Sequence, residues 1–326
     1  MMSPSLLIFQ TLKPYFQYKK PGFFLFGHGV IEKKKINTLI QDLHIDLSHL
    51  GDMIDMWRQM GFVFITMEEA LDVVINGYII NKPWIHLTFD DGYRNNYTLL
   101  YPFLKARKIP FTIFLSTYNI TENKRFDNYK IYCSLIHTRD FKAIEDIFEE
   151  FAIVPPTNVT PELFAKDVMK IYKYFAVPEK LKFMTRVQSL LTTDEWRYYD
   201  KLYDSEEVMV AEEVREMAED PLVSFGSHGH NHYILSTLDD EGINYEQRQS
   251  KKLMKRLTGR DPATYCYPNG KLKDIPTNIG SLTEGNDYTA AFTTVKRKIS
   301  GRVSPYAIPR FPLSYRYLPK LFLRVL

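Results

Sequence analysis

Seven short apolar runs, nearly free of the polar alternation that marks a strand with one wet face, constrain this chain more than anything else in it. They occupy residues 23–30 (FFLFGHGV), 83–91 (PWIHLTFDD), 110–117 (PFTIFLST), 222–229 (LVSFGSHG), 263–270 (ATYCYPNG), 288–294 (YTAAFTT) and 305–313 (PYAIPRFPL). A strand that is apolar on both faces must be covered on both, which is the habit of parallel sheets wrapped by helices. Helical patterns over residues 46–60, 96–108 and 239–257 fill gaps between the runs. The order strand, helix, strand, helix predicts an α/β fold built as a barrel of parallel strands. Several runs end in Gly, Asp, His or Asn, so polar groups collect at the carboxyl ends of strands, where such barrels place their chemistry. Residues 119–219 interrupt the alternation. They are charged, helical in pattern and broken at Pro155-Pro156 and Thr160-Pro161, and they read as a long helical insertion capping one side of the barrel.

Composition removes several function classes. With 45% hydrophobic and 25% charged residues the chain of 326 has enough apolar material for a substantial core, so disorder is excluded. The 42 basic and 39 acidic residues leave a net charge of +3, which gives no electrostatic footprint for nucleic acid. Two cysteines, Cys133 and Cys266, cannot build a disulfide scaffold and suit a reducing compartment. The N-terminal MMSPSLLIFQTLKPYF lacks the basic region and the long apolar stretch of a secretory signal, and no run approaches the ~20 apolar residues of a membrane span. The expectation is a cytoplasmic protein. Residues 314–326 (SYRYLPKLFLRVL) form a basic, amphipathic tail that either docks on the protein itself or touches a membrane surface. The high aromatic content, 22 Tyr and 22 Phe, is chiefly core packing, although aromatic faces also suit sugar rings.

Two segments carry candidate chemistry. Thr88-Phe89-Asp90-Asp91-Gly92 closes a strand with two adjacent carboxylates that can diverge to separate partners, although an Asp-Gly turn explains the pentapeptide on its own equally well. Ser227-His228-Gly229-His230-Asn231-His232 places two imidazoles at i and i+4, a spacing that predicts a shared face on a first helical turn, with His230 pointing elsewhere. Together, Asp91, His228 and His232 make a three-ligand site with an open position for a divalent cation, while Asp90 stays free beside it as a general base. Zinc suits this donor set first, and Co2+, Mn2+ or Ni2+ are also accepted. A tetrahedral oxyanion formed there needs a donor, and the backbone N–H of Asn269, just past Tyr267-Pro268 at another strand end, is the candidate.

The ordered set TFDDG, SHGHNH and YPNG resembles the polysaccharide deacetylases (NodB-homology, carbohydrate esterase family 4). The early Gly27-His28-Gly29-Val30 and the late Ile308-Pro309-Arg310 extend the likeness over about residues 22–313. The resemblance implies a distorted barrel of about seven strands, agreeing with the periodicity. It implies Asp90 as catalytic base and Asp91, His228 and His232 as metal ligands. Two departures touch the mechanism. Many members carry Arg where this chain has Cys266, and many use a late histidine as general acid, yet no histidine follows His232. Arg310 could supply the missing charge from another direction, or could serve a structural ion pair. His28, at the end of the first run, is the substitute acid, as in the subgroup whose acid precedes TFDDG. His86 reads as structural, and His44, His49 and His137 as lacking partners and roles.

The function so implied is metal-dependent removal of an N-acetyl group from an amino sugar, in surface polysaccharide or glycolipid biosynthesis, with a carbohydrate as the partner. A cytoplasmic location would make the substrate a lipid-linked or nucleotide-linked precursor. An O-deacetylase, another metal-dependent amidohydrolase, and a catalytically silent carbohydrate-binding homologue are the alternatives.

Overall fold

The computed structural model describes residues 20–313 apart from 33–37, 156–158, 298 and 300–302, together with residues 14 and 18. Each of the seven apolar runs supplies one strand of a single curled sheet. In spatial order these are β10 (Phe311–Pro312), β1 (Gly22–Gly27), β5 (Trp84–Asp91), β6 (Phe111–Leu115), β7 (Val223–Ser227), β8 (Thr264–Cys266) and β9 (Ala290–Phe292), with β4 (Val63–Phe64) paired to the start of β5. All these pairs are parallel. The two ends of the sheet approach each other through the parallel bridge Phe292↔Ile308, and the result is the expected distorted barrel.

Alternation along the strands sorts side chains onto two faces. Phe23, Leu25, Leu87, Phe89, Phe111, Ile113 and Leu115 pack outward into one core under the helices. Phe24 and Phe114 turn inward, with Cys266 and Phe292, to fill the barrel. The inward face of β5 is polar: His86, Thr88 and Asp90 follow one another along it, all buried. His86 is structural, as expected, its ring nitrogens bonded to the Ile65 carbonyl at 2.8 Å and the Thr112 hydroxyl at 2.9 Å.

The run 23–30 is not one strand. After β1 the chain passes His28 and forms β2 (Gly29–Ile31), which pairs with β3 (His44–Asp46) in a separate two-stranded sheet. Glycine permits this close approach, since a Cβ at residue 29 would lie 2.1 Å from His44 Nδ1. His44 is not partnerless either. Its Nε2 lies 3.1 Å from Glu206 Oε1 with both side chains buried. His137 likewise pairs with the Tyr203 hydroxyl at 2.9 Å and stacks on Tyr199.

Helix α1 (Leu47–Gln59) begins where Asp46 caps it by accepting from Ser48 N at 2.9 Å. The pattern 96–108 resolves into a π-helical turn, Asn96–Leu100, followed by α2 (Tyr101–Ala106). Between β6 and β7 lie α3 (Asp127–His137), α4 (Phe141–Glu150), α5 (Pro161–Tyr172), α6 (Val177–Gln188), α7 (Thr193–Leu202) and α8 (Ala211–Ala218). A second core, from Tyr129 to Leu191 with Leu39 and Ile40 added, joins α3 to α6. Helix α8 instead sends Val214 and Met217 into the main core. Helix α9 (Asp240–Thr258), capped by Asp239 and ended by Gly259 at φ +71°, runs back from the mouth of β7, and α10 (Ile279–Gly285) precedes β9.

Among the described residues no helix is long and apolar enough to cross a membrane. The basic tail 314–326 and the N-terminal segment read for a secretory signal lie outside the described residues, Pro14 apart.

Close packing between β6 and β7 depends on Gly226, where a Cβ would meet the Phe114 ring at 2.4 Å and Thr264 Oγ1 at 2.6 Å. Gly226→Ala should therefore destabilise by about 1–3 kcal/mol through overpacking, seen as a lower urea midpoint at unchanged m-value; an unaltered midpoint would contradict this packing.

Candidate active site

Adjacent strand residues point to opposite faces, so two neighbouring carboxylates can share a site only if the backbone turns between them. Asp91 makes that turn, at φ +78°, a left-handed conformation uncommon for a residue with a side chain. Asp90 keeps the inward direction of Thr88, and Asp91 is re-aimed toward the loop after β7. Both are buried.

Asp90 meets Arg310. The guanidinium holds both carboxylate oxygens, Nη1 to Oδ1 and Nη2 to Oδ2, each at 2.7 Å. Arg310 also donates to Thr88 Oγ1 at 3.0 Å and to the Thr293 carbonyl at 3.2 Å, lies 2.9 Å from Cys266 Sγ, and is fully buried. Burial by itself would push the Asp90 carboxyl up, but the charge and hydrogen bonds of Arg310, with His228 and His28 nearby, hold it below the usual carboxylate range. The charge absent at Cys266 thus arrives from the last strand run, into the same place. Burial pushes the Cys266 thiol up, so it stays a neutral thiol beside the pair.

Asp91 meets the two histidines. Its Oδ1 lies 3.4 Å from His228 Nε2 and 3.1 Å from His232 Nε2, with Asp91 and His228 buried and His232 partly so. Burial would raise the Asp91 carboxyl, yet His232 and His228 beside it hold it well below the usual range. The histidines do not converge through a helical turn. Residues 228–232 form an irregular loop in which Gly229 (φ +81°) and His232 (φ +60°) take left-handed backbone, and this brings the second imidazole back over the first, ring centroids 4.9 Å apart. His230 points away, its Nδ1 3.0 Å from Thr117 Oγ1.

The donor set fits a divalent cation. His228 Nδ1 lies 2.7 Å from the Cys266 carbonyl, which can only accept, so Nδ1 carries a proton and Nε2 is the nitrogen turned toward Asp91. Burial would lower the His228 pKa, but Cys266, Asp91 and Asp90 raise it well above its ordinary value, so without a cation the ring holds a proton toward the carboxylate. Asp91 Oδ1 is buried with no hydrogen-bond donor assigned to it. The ligand atoms of Asp91, His228 and His232 lie within 4.8 Å of one another, and a divalent cation could replace the ring proton there and take the carboxylate and both imidazole nitrogens as ligands.

The remaining expected residues stand around this centre. His28, half-buried at the end of β1, lies in the field of Asp91, Asp90, His228 and Arg310. Burial lowers its pKa, against the pull of the two carboxylates. Asn269 follows β8 at φ +61°, its Oδ1 accepting from Lys173 Nζ at 3.1 Å and its Nδ2 donating to Asp274. Two contributors had no local signal in the sequence. Lys173 arrives from the end of α5, and Glu246 from α9 accepts from the backbone N–H groups of His230 and Asn231 at 2.9 and 2.8 Å and from Asn231 Nδ2 at 2.7 Å.

One carboxylate and two imidazoles that could hold a metal ion, with a separate carboxylate beside them, make an arrangement suited to metal-assisted hydrolysis. The particular kind follows from comparison: the sequence profile of the family described as polysaccharide deacetylase matches residues 79–284, and the chain belongs to that family. No curated protein matches the sequence. Several solved structures share the fold. IcaB from Ammonifex degensii is 15% identical, with 93% of this chain and 96% of that one aligned and a TM-score of 0.60. The de-N-acetylase from Aggregatibacter actinomycetemcomitans is 16% identical over 89% of this chain and 94% of that one, TM-score 0.54. The Streptococcus pyogenes deacetylase PplD is 14% identical over 93% and 97%, also at 0.54.

Glu246 touches no ligand atom, yet it clamps the loop between the two histidines. Glu246→Ala should weaken divalent-metal affinity by about 10–100-fold, measured by competition against a chromogenic chelator; unchanged affinity would show that the loop holds its shape alone.

Proposed function

We propose that this deacetylase hydrolyses the N-acetyl group of an amino sugar in a surface polysaccharide or glycolipid precursor, with a divalent cation, zinc first, held by Asp91, His228 and His232. The observation that carries the reading is the division of labour between neighbouring carboxylates: Asp91 faces two imidazole nitrogens, while Asp90 is committed to Arg310. What the cation supplies when bound is polarisation of the acyl carbonyl and a lowered pKa for a neighbouring water.

Asp90 takes the proton of the attacking water. Arg310 keeps it ionised and oriented, and each carboxylate oxygen retains a lone pair beyond its bond to the guanidinium. The backbone N–H of Asn269 donates to the developing oxyanion. Collapse of the tetrahedral species expels an amine, which is a poor leaving group until it is protonated, and His28 donates that proton. The need for such an acid favours an amide over an ester substrate, as does the fold shared with a de-N-acetylase. The same reading assigns the reaction to a cytoplasmic or membrane-surface precursor; recovery of the protein outside the inner membrane would remove that part.

Asp90→Asn is expected to retain metal while lowering kcat at least ~100-fold, the range of general-base loss, and His228→Ala to lose the metal itself. Chelation should abolish amine release from N-acetylated oligosaccharides, and added Zn2+ should restore it. Wild-type-like turnover in Asp90→Asn would remove the assigned base. His28→Ala should lose the alkaline limb of the kcat profile, because deprotonation of the acid is what that limb reports; a surviving limb would assign the acid elsewhere.

A further inference from the structure

Helix α5 leads from the second core to the loop after β8 and delivers Lys173 there. Lys173 Nζ donates to Asn269 Oδ1 at 3.1 Å, and the next residue, Tyr174, donates from its hydroxyl to Asp274 Oδ1 at 2.7 Å. Asp274 is fully buried, and its other oxygen accepts from Asn269 Nδ2 and from Lys271 N. The carboxylate nearest in sequence to this loop is therefore saturated by other donors. Among the described residues no carboxylate stands within ion-pair distance of Lys173, whose ammonium group rests on a neutral amide oxygen.

The surroundings sharpen the imbalance. Lys173 is partly buried, and the charges that reach it are Lys271, Asp274, Asp91 and Lys273. Burial, then the neighbouring lysine, lowers its pKa. Lys273 sits over the Tyr174 ring at 4.5 Å, while Lys271 is exposed on the same loop. Asp274 and Asp91 act on Lys173 only from a distance; holding a cation partly out of water with no carboxylate in direct contact is unfavourable, and the cost is recovered when a ligand brings one. Asn269, whose side-chain oxygen Lys173 touches, is also the residue whose N–H the proposed mechanism uses, and Asp91 acts on the same ammonium group, so Lys173 stands near the proposed reaction centre.

We propose that Lys173, backed by Lys271, binds an anionic group, a carboxylate or a phosphate ester, carried by the substrate next to its acetamido sugar. This rests on the deacetylase reading above and narrows its substrate class from amino sugars in general to acidic ones. The long segment between β6 and β7 then has a role in selectivity: it brings the specificity-determining cation up to a site whose proposed hydrolytic groups all come from the barrel strands and the loops that follow them.

The test uses the full chain loaded with Zn2+ and three N-acetylglucosamine oligosaccharides that differ only in the neighbouring substituent: a hydroxyl, a carboxylate or a phosphate monoester. The wild type should favour at least one charged form by roughly tenfold or more in kcat/KM, mainly through KM, and the preference should shrink as salt rises. The two charged arms identify the anion. Lys173→Gln should collapse the ratio toward one, and Lys173→Arg should largely keep it. Lys271→Gln, at an exposed position, should reduce the ratio less and serves as a second variant if Lys173→Gln folds poorly. No preference in the wild type, or a Lys173→Gln loss equal on all three substrates, would overturn the proposal while leaving the deacetylase reading intact. Absence of amine release from every substrate would overturn both.

Discussion

The buried pair of Arg310 and Asp90 is the interaction on which the rest of this site depends. A guanidinium with no exposure at all is tolerated inside a barrel only because both oxygens of one carboxylate, a hydroxyl and a backbone carbonyl accept from it. Removing either partner would strand the other charge, at a cost of about 3–5 kcal/mol. The same pair spans the inside of the sheet from central β5 to the chain just before β10. It thereby couples closure of a barrel whose ends meet in the parallel bridge Phe292↔Ile308 to the ionisation of the residue assigned as base.

Around that pair the polar groups are arranged by local backbone turns rather than by regular structure. Left-handed residues occur at Asp91, Gly229, His232, Asn269 and Gly270, at the ends of three different strands. Each turns a side chain or an N–H out of the direction the strand would give it, and non-glycine residues adopt such conformations at a cost of order 1 kcal/mol or more. The barrel packs beneath them densely enough to carry that cost. Glu246 contributes from behind by satisfying the N–H groups that the irregular loop exposes.

Much of this was legible in the residues alone, for a physical reason. Strands covered on both faces are largely apolar, so the seven main strands announced themselves, although the two-residue β4 of the same sheet did not, and the carboxylates and imidazoles at strand ends stood out against them. The break at His28 was hidden because β1 and β2 are both apolar and only the close approach of Gly29 to His44 separates them. The i, i+4 spacing of His228 and His232 suggested a helix, but glycine at 229 allows a loop that achieves the same convergence. The pairing of Arg310 with Asp90, the clamp of Glu246 and the arrival of Lys173 were not decidable, since each joins distant segments and no periodicity reports such contacts. The lone cue for Arg310 was a charge at the end of a buried run. His44 and His137 were missed as partnered residues for the same reason.

The separation of 220 residues between Asp90 and Arg310 has a meaning for biosynthesis. At ~5–20 residues per second, the central strand leaves the ribosome on the order of tens of seconds before the arginine that neutralises it. Through that interval β5 carries a carboxylate that its final surroundings would reject. The nascent barrel thus has reason to stay open and hydrated along its interior until the last strand run emerges, and a message cut short before residue 310 would yield a chain without the ion pair that joins its centre to its edge.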